Sequence, residues 1–235
     1  VAEDPSTEEH LLRGTLAHAF FEAIGRGMDA EKAKLLVMEA FERIQDVPQW
    51  QLRFRLDEFS TLLDRAREWA RQSEVNQELA GVEIPVGVRV SEEVRIGGYM
   101  DRLLRDGEGN YLVVDLKTGR SKPAKKEGED HVQLMTYQLA LAHGAFDGHQ
   151  VHDGEGMPRQ GGVLVYPGAT TKKIGEIWQS DKSPEALEEF AALLPPLVEE
   201  MRGPRITART NKDCDKCPIR SICPVQEEGR MTTDA

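Results

Sequence analysis

The sequence predicts an α/β fold: a mixed central sheet flanked by helices, with a helical N-terminal portion. Three observations carry this expectation. The hydrophobic period is about 3.6 residues through the first third of the chain and switches to two near Val82. The elements then follow the order helices, strands, helix, strands, helix, which puts helices on both faces of a sheet. Finally, the turn-forming run Asp106-Gly107-Glu108-Gly109-Asn110 lies between two apolar stretches and closes a hairpin.

Leu12, Leu16, Ala19, Phe20 and Ala23 form one stripe of a helix from about Thr7 to Ile24, and a second helix is expected from about Asp29 to Ile44. Leu52, Leu56, Phe59, Leu62, Leu63, Ala66, Trp69 and Ala70 mark a third, longer amphipathic helix. Strands are expected near Val82 to Val90, Glu93 to Gly97, Tyr99 to Arg105 and Tyr111 to Thr118, and then a helix from about Glu129 to His143. A Gly-rich polar loop, Gly144 to Gly161, leads to strands near Gly162 to Tyr166 and Lys172 to Trp178; Pro184 opens a helix after Ser183. The expected organisation is one domain over 1–205, helical at about 7–75 and built on the sheet at about 82–202. A cysteine-rich segment, 206–226, and a disordered tail, 227–235, follow.

The chain has 235 residues and a formal net charge of −11, from 30 Lys and Arg against 41 Asp and Glu. That length buries a substantial core without staples, and 39% hydrophobic residues exclude wholesale disorder. The acidity excludes a generally basic nucleic-acid coat, because phosphate affinity comes largely from Lys and Arg, but it leaves room for a local basic groove. No apolar run approaches the roughly 18 to 20 residues of a membrane span, and the first ten residues are acidic rather than basic and apolar. No membrane association is expected, and the expected location is cytoplasmic.

The hairpin carries the chemistry. On its second strand, period two puts Leu112, Val114 and Leu116 on one face and Val113, Asp115 and Lys117 on the other. If the hairpin folds symmetrically about Glu108, Asp101 faces Asp115, with Cβ atoms roughly 4.5 to 5.5 Å apart. Two carboxylates so placed need a cation or a proton. A hard divalent ion such as Mg2+ or Mn2+ fits, and Lys117, two residues on, would reach a metal-bound water or a phosphate oxygen. A solvated D-x-K pair on an exposed face is the bland alternative. The apolar neighbours Leu112, Val113, Val114 and Leu116 argue against it, since they imply a strand buried on both faces, where charges are expensive.

"GYMDRLL" followed by "YLVVDLKTG" and "HVQLMTYQLAL" resembles the PD-(D/E)XK nuclease superfamily, and within it the RecB-like exonuclease branch. The resemblance implies a restriction-endonuclease-like core and a metal site in which Asp101 and Asp115 are the acids, Lys117 the catalytic lysine and the Leu116 carbonyl a further ligand. Met100 stands where the superfamily name writes Pro. The branch also carries a G-x-x-x-H frame on an early helix, here Gly14 and His18, and a Q-x-x-x-Y motif, here Gln133 and Tyr137. By resemblance His18 is a metal ligand, and Gln133 and Tyr137 contact the scissile strand or orient the site. Helical geometry puts His18 opposite the apolar stripe, with Gly14 one turn earlier leaving open space. The loop residues Arg120, Lys122, Lys125 and Lys126 follow the catalytic strand, and Arg120 and Lys122 are the candidates to grip the DNA backbone.

Cys214, Cys217 and Cys223 form C-x2-C-x5-C before Pro224, a spacing that argues for metal or cluster ligation in a cytoplasmic protein. It resembles the C-terminal triplet of RecB-like nucleases that carry a [4Fe-4S] cluster, whose fourth cysteine lies near the N-terminus. The fourth cysteine is absent and the chain opens on Val1, so the cluster is expected to be incomplete and the chain to be the trimmed part of a larger protein. A His149, His152, Asp153 run is a weaker zinc motif in a Gly-rich loop. The expected function is therefore metal-dependent hydrolysis of single-stranded DNA, in double-strand-break repair beside an upstream helicase domain or subunit, or in CRISPR adaptation. The competing readings are a catalytically silent DNA-binding or subunit-docking module of the same fold, and a small zinc- or cluster-binding interaction protein.

Overall fold

The computed structural model describes residues 5–122, 124–143, 157–204 and 207–230. Three helices open the chain: α1 (Pro5–Gly25), α2 (Ala30–Ile44) and α3 (Gln49–Ser73). Asp29 caps α2 by accepting the Lys32 amide at 2.9 Å, as a short acid at that position should. The buried line of α1 is Arg13, Ala17, Phe20 and Phe21, whereas Leu12, Leu16 and Ala23 are half-buried and Ala19 is exposed. The expected stripe is thus rotated toward His18, because α1 packs both on its helical neighbours and on the sheet.

Five strands form one sheet in the order β1 (Glu78–Arg89), β2 (Arg95–Arg105), β3 (Tyr111–Leu116), β4 (Arg159–Tyr166), β5 (Gly175–Gln179). The β3–β4 pair is parallel and the others antiparallel, so the sheet is mixed; α4 (Val132–Ala142) makes the crossover between the parallel strands. The two strands expected over 93–105 are one, since pairing with β1 continues through Gly87↔Gly97 and Val86↔Gly98. The adjacent glycines weaken local propensity without ending the ladder.

The β2–β3 hairpin has the register expected of a turn centred on Glu108, from Arg105↔Tyr111 to Arg102↔Val114. On β3, Leu112, Val114 and Leu116 join the core under α1 to α3, and Val113 joins a second core under α4. Helices therefore cover both faces, and β3 is buried along its length after Tyr111. Arg102 is fully buried under α1, its guanidinium 4.3 Å from the centroid of the Phe21 ring and its Nη1 donating to Glu74 Oε1 at 2.7 Å.

Gly161 lies where β4 enters the sheet, with φ 97°, and a Cβ there would collide with the Gln179 carbonyl of the neighbouring segment. Gly161→Ala should therefore destabilise the protein by about 2 to 4 kcal/mol, from left-handed strain plus overpacking, read as a lowered urea midpoint at unchanged slope.

The chain divides into two compact units, 1–191 and 192–235. The second contains α6 (Leu194–Arg202), one-turn 3-10 helices at Cys214–Lys216 and Arg220–Ile222, and α7 (Glu227–Arg230). The helix expected after Ser183 is α5 (Pro184–Ala192), and α6 is a separate helix. His149, His152, Asp153 and residues 231–235 lie outside the described residues. No helix among the described residues is long and apolar enough to cross a membrane.

Candidate metal centre

The site forms where β2 and β3 part. Their ladder stops at Arg102↔Val114, one position short of Asp101 and Asp115. Asp101 Oδ2 instead accepts the Leu116 amide at 2.6 Å, so its carboxylate bridges the fork between the strands. Its Oδ1 lies 3.2 Å from Nδ1 of His18, which reaches in from α1. Gly14 is not beside open space as expected. A Cβ there would sit 3.5 Å from Thr118 Oγ1, in ordinary van der Waals contact, so α1 runs beside the end of the D-x-K strand at this point. One residue earlier, Arg13 Nη2 donates to the Thr118 carbonyl at 2.6 Å and pins the same segment.

Asp115 lies on the α4 side, nearly inaccessible, with Lys117 Nζ 2.8 Å from its Oδ2. That contact lacks hydrogen-bond geometry, and Asp115 Oδ2 is a buried acceptor with no hydrogen-bond donor. Gln133, from the first turn of α4, holds the pair together: its Nε2 donates to Asp115 Oδ1 at 2.6 Å and its Oε1 accepts from Lys117 Nζ at 2.6 Å. The same amide donates to the Tyr137 hydroxyl at 2.9 Å, which donates to the Tyr99 carbonyl at 2.6 Å. The i, i+4 spacing of Gln133 and Tyr137 on α4 makes this chain possible. It ties α4 to both strands of the fork.

The geometry thus brings together His18, Asp101, Asp115, Lys117, Gln133 and Tyr137, and it adds Glu83, which the sequence reading missed. Among the described residues, His18, Glu83 and Asp101 are the group of metal-ligating types whose donor atoms all lie within 4.8 Å of one another. Glu83 is legible only if β1 and β2 are folded about Ser91 to Glu93, which puts it abreast of Asp101. The donor set of carboxylates and one imidazole, with a buried carboxylate oxygen lacking a hydrogen bond, fits a hard divalent ion.

A family model for the PD-(D/E)XK nuclease superfamily matches residues 1–224. The chain belongs to this superfamily. Its members are metal-dependent nucleases, and the five-stranded mixed sheet with helices on both faces is the fold expected of them. No curated protein is significantly similar in sequence. A solved structure titled "Crystal structure of SSO0001" is similar at 21% identity, covering 75% of this chain and 73% of that one with a TM-score of 0.40.

The electrostatics suit a PD-(D/E)XK site that binds a cation. Burial, and then the charge of Asp101, push Asp115 up to about 6 against the pull of Lys117. Burial alone would lower His18, but its hydrogen bond to Asp101 and the charges of Asp101, Asp115 and Glu83 raise it overall. Glu83 is raised by burial first and by Asp101 and Glu22 after it. Burial leads the shifts of Asp115 and Glu83 and crowded negative charge adds to them, whereas at His18 the negative charge outweighs burial.

Beyond the centre, the expected backbone contacts are less uniform. Arg120 is ion-paired to Glu58 on α3, whereas Lys122 is exposed. The Thr170 amide donates to the Arg120 carbonyl at 3.4 Å, bringing the 118–122 loop against the turn that carries the exposed Lys172 and Lys173. In the second unit, the thiols of Cys214, Cys217 and Cys223 are free and do not converge into a ligand group within 4.8 Å, so this geometry lends the expected cluster no support.

Proposed function

We propose that the protein is a Mg2+- or Mn2+-dependent deoxyribonuclease of the RecB-like branch, an exonuclease on single-stranded DNA serving recombination and repair beside a helicase domain or subunit. The observation that carries the reading is the D-x-K pair clamped by one glutamine beside the His18–Asp101 contact, on motifs resembling that branch in chain order. His18, Asp101 and Asp115, with the Leu116 carbonyl, would hold the ion. When bound, the ion polarises a phosphate oxygen and lowers the pKa of a coordinated water.

The protein's own groups do the rest. The Lys117 ammonium, aimed by Asp115 and Gln133, stabilises the charge that grows on the non-bridging phosphate oxygens during attack. Gln133 keeps Lys117 and Asp115 in register, and Tyr137 anchors Gln133 to β2. Lys122 and, once parted from Glu58, Arg120 neutralise flanking phosphates, supplying locally the positive field that a net charge of −11 denies the whole chain.

Gln133→Ala should lower the cleavage rate by about 10- to 100-fold, the usual cost of losing a group that orients a metal site, with little change in DNA affinity. Single-turnover cleavage and fluorescence anisotropy on one labelled strand check both halves. The exonuclease reading predicts digestion of linear single strands and none of a circular single strand under Mn2+. Equal cutting of the circle makes the enzyme an endonuclease. Binding without cutting any substrate, with Mn2+ present, favours the non-catalytic module.

A further inference from the structure

Glu83 stands at an irregularity shared by two strands. It lies abreast of Asp101, between the pairs Val82↔Arg102 and Ile84↔Met100. These pairs face opposite ways. Val82 and Arg102 lie under α1, where a Cβ on Gly25 would meet both, whereas Ile84 and Met100 belong to the core under α4. A regular strand keeps residues i and i+2 on one face, so both strands turn over at this step. Glu83 does so with φ 47°, the one positive φ recorded for a non-glycine among the described residues, at a strain on the order of 1 to 3 kcal/mol.

The strained backbone places a third donor beside His18 and Asp101, with all three donor atoms within 4.8 Å. Among the described residues no hydrogen bond or ion pair holds the Glu83 carboxylate; Asp101 and Glu22 repel it, and the charges of His18 and Arg26 offset that only in part. A structural role would not choose such a neighbour. β1 flanks β2 on the side away from β3, so Glu83 approaches from the side opposite Asp115.

We propose that Glu83 is a further ligand of the divalent ion, adding a carboxylate oxygen to His18 and Asp101. This rests on the metal-dependent reading above. Asp101, on the middle strand, then becomes the shared ligand between a Glu83 side and an Asp115 side, and the turnover in β1 is the device that aims the added oxygen.

Mn2+ titration of the metal-free chain without DNA, followed by the electron paramagnetic resonance of free Mn2+, tests it. Glu83→Gln should weaken binding by about 10-fold or more, as loss of a ligand would, and Asp101→Asn by more still. Glu83→Asn and Glu83→Asp form a same-length pair, both tolerant of positive φ, and only the aspartate should restore part of the affinity. In EDTA, circular dichroism melts should show Glu83→Gln no less stable than wild type. If Glu83→Gln binds like wild type while Asp101→Asn does not, or if the Asn and Asp variants bind alike, Glu83 is no ligand. If Asp101→Asn also binds like wild type, the metal centre itself is misassigned.

Discussion

Lys117→Met should abolish metal-dependent DNA cleavage, by about 10^3-fold or more in the single-turnover rate, while the protein stays folded and binds Mn2+ at least as tightly as wild type. The asymmetry follows from the geometry. Lys117 Nζ touches Asp115 Oδ2 and Gln133 Oε1, so its ammonium competes with a bound cation for Asp115 and contributes to the charged transition state rather than to metal affinity. Removing it relieves that competition. Methionine keeps an unbranched apolar stem in place of the lysine methylenes, so lost packing does not confuse the result. Quench-flow cleavage and Mn2+ titration on the same preparation check the split. A parallel loss of both would make Lys117 a structural partner of Asp115 instead.

Asp115→Asn should make the metal-free protein more stable at pH 8 and less pH-sensitive, at the expense of all activity. In the folded chain the Asp115 carboxyl ionises at about 6, above its ordinary range, because it is buried beside Asp101. A folded-state pKa raised above the unfolded value means the folded state holds the proton more tightly. The resulting stability is complete below about pH 4 and is lost as pH rises through 6, on the order of 3 kcal/mol in all. His18 is raised as well and adds to the loss in the same direction. Asparagine cannot ionise, so in EDTA at pH 8 the variant should melt several degrees above wild type, and near pH 4 the gap should close. Mn2+ should raise the wild-type midpoint and move the variant far less. A variant that melts below wild type at pH 8 would mean that the ion pair with Lys117 outweighs the repulsion from Asp101.

Much of this arrangement is legible in the sequence because hairpin geometry is local. The turn at Asp106 to Asn110 sets the β2–β3 register, and the apolar alternation of β3 assigns its faces, which together bring Asp101 to Asp115 and Lys117. The i, i+4 spacing of Gln133 and Tyr137 is equally local. Less accessible features depend on the tertiary structure. The ladder ends before Asp101 and Asp115, so their carboxylates are set by the fork rather than by direct opposition. Glu83 is hidden because φ 47° breaks the alternation that any pattern reading assumes. The Arg120–Glu58 pair joins residues 62 apart in sequence, on a loop and a helix that no periodicity links. Gly14 is recognisable as part of a motif, but its neighbour Thr118 is set only by the packed helix.

In the function proposed, Asp101, Asp115 and Lys117 form a divalent-metal phosphodiesterase centre. The most direct measurement is cleavage of an end-labelled single strand by purified wild type, Asp101→Asn and Asp115→Asn, each with Mn2+, with Mg2+ and with EDTA. Wild type should cut with either metal and not in EDTA, and neither variant should cut while both still bind the strand. Metal-independent cutting, or variants that cut at the wild-type rate, would contradict the proposed function.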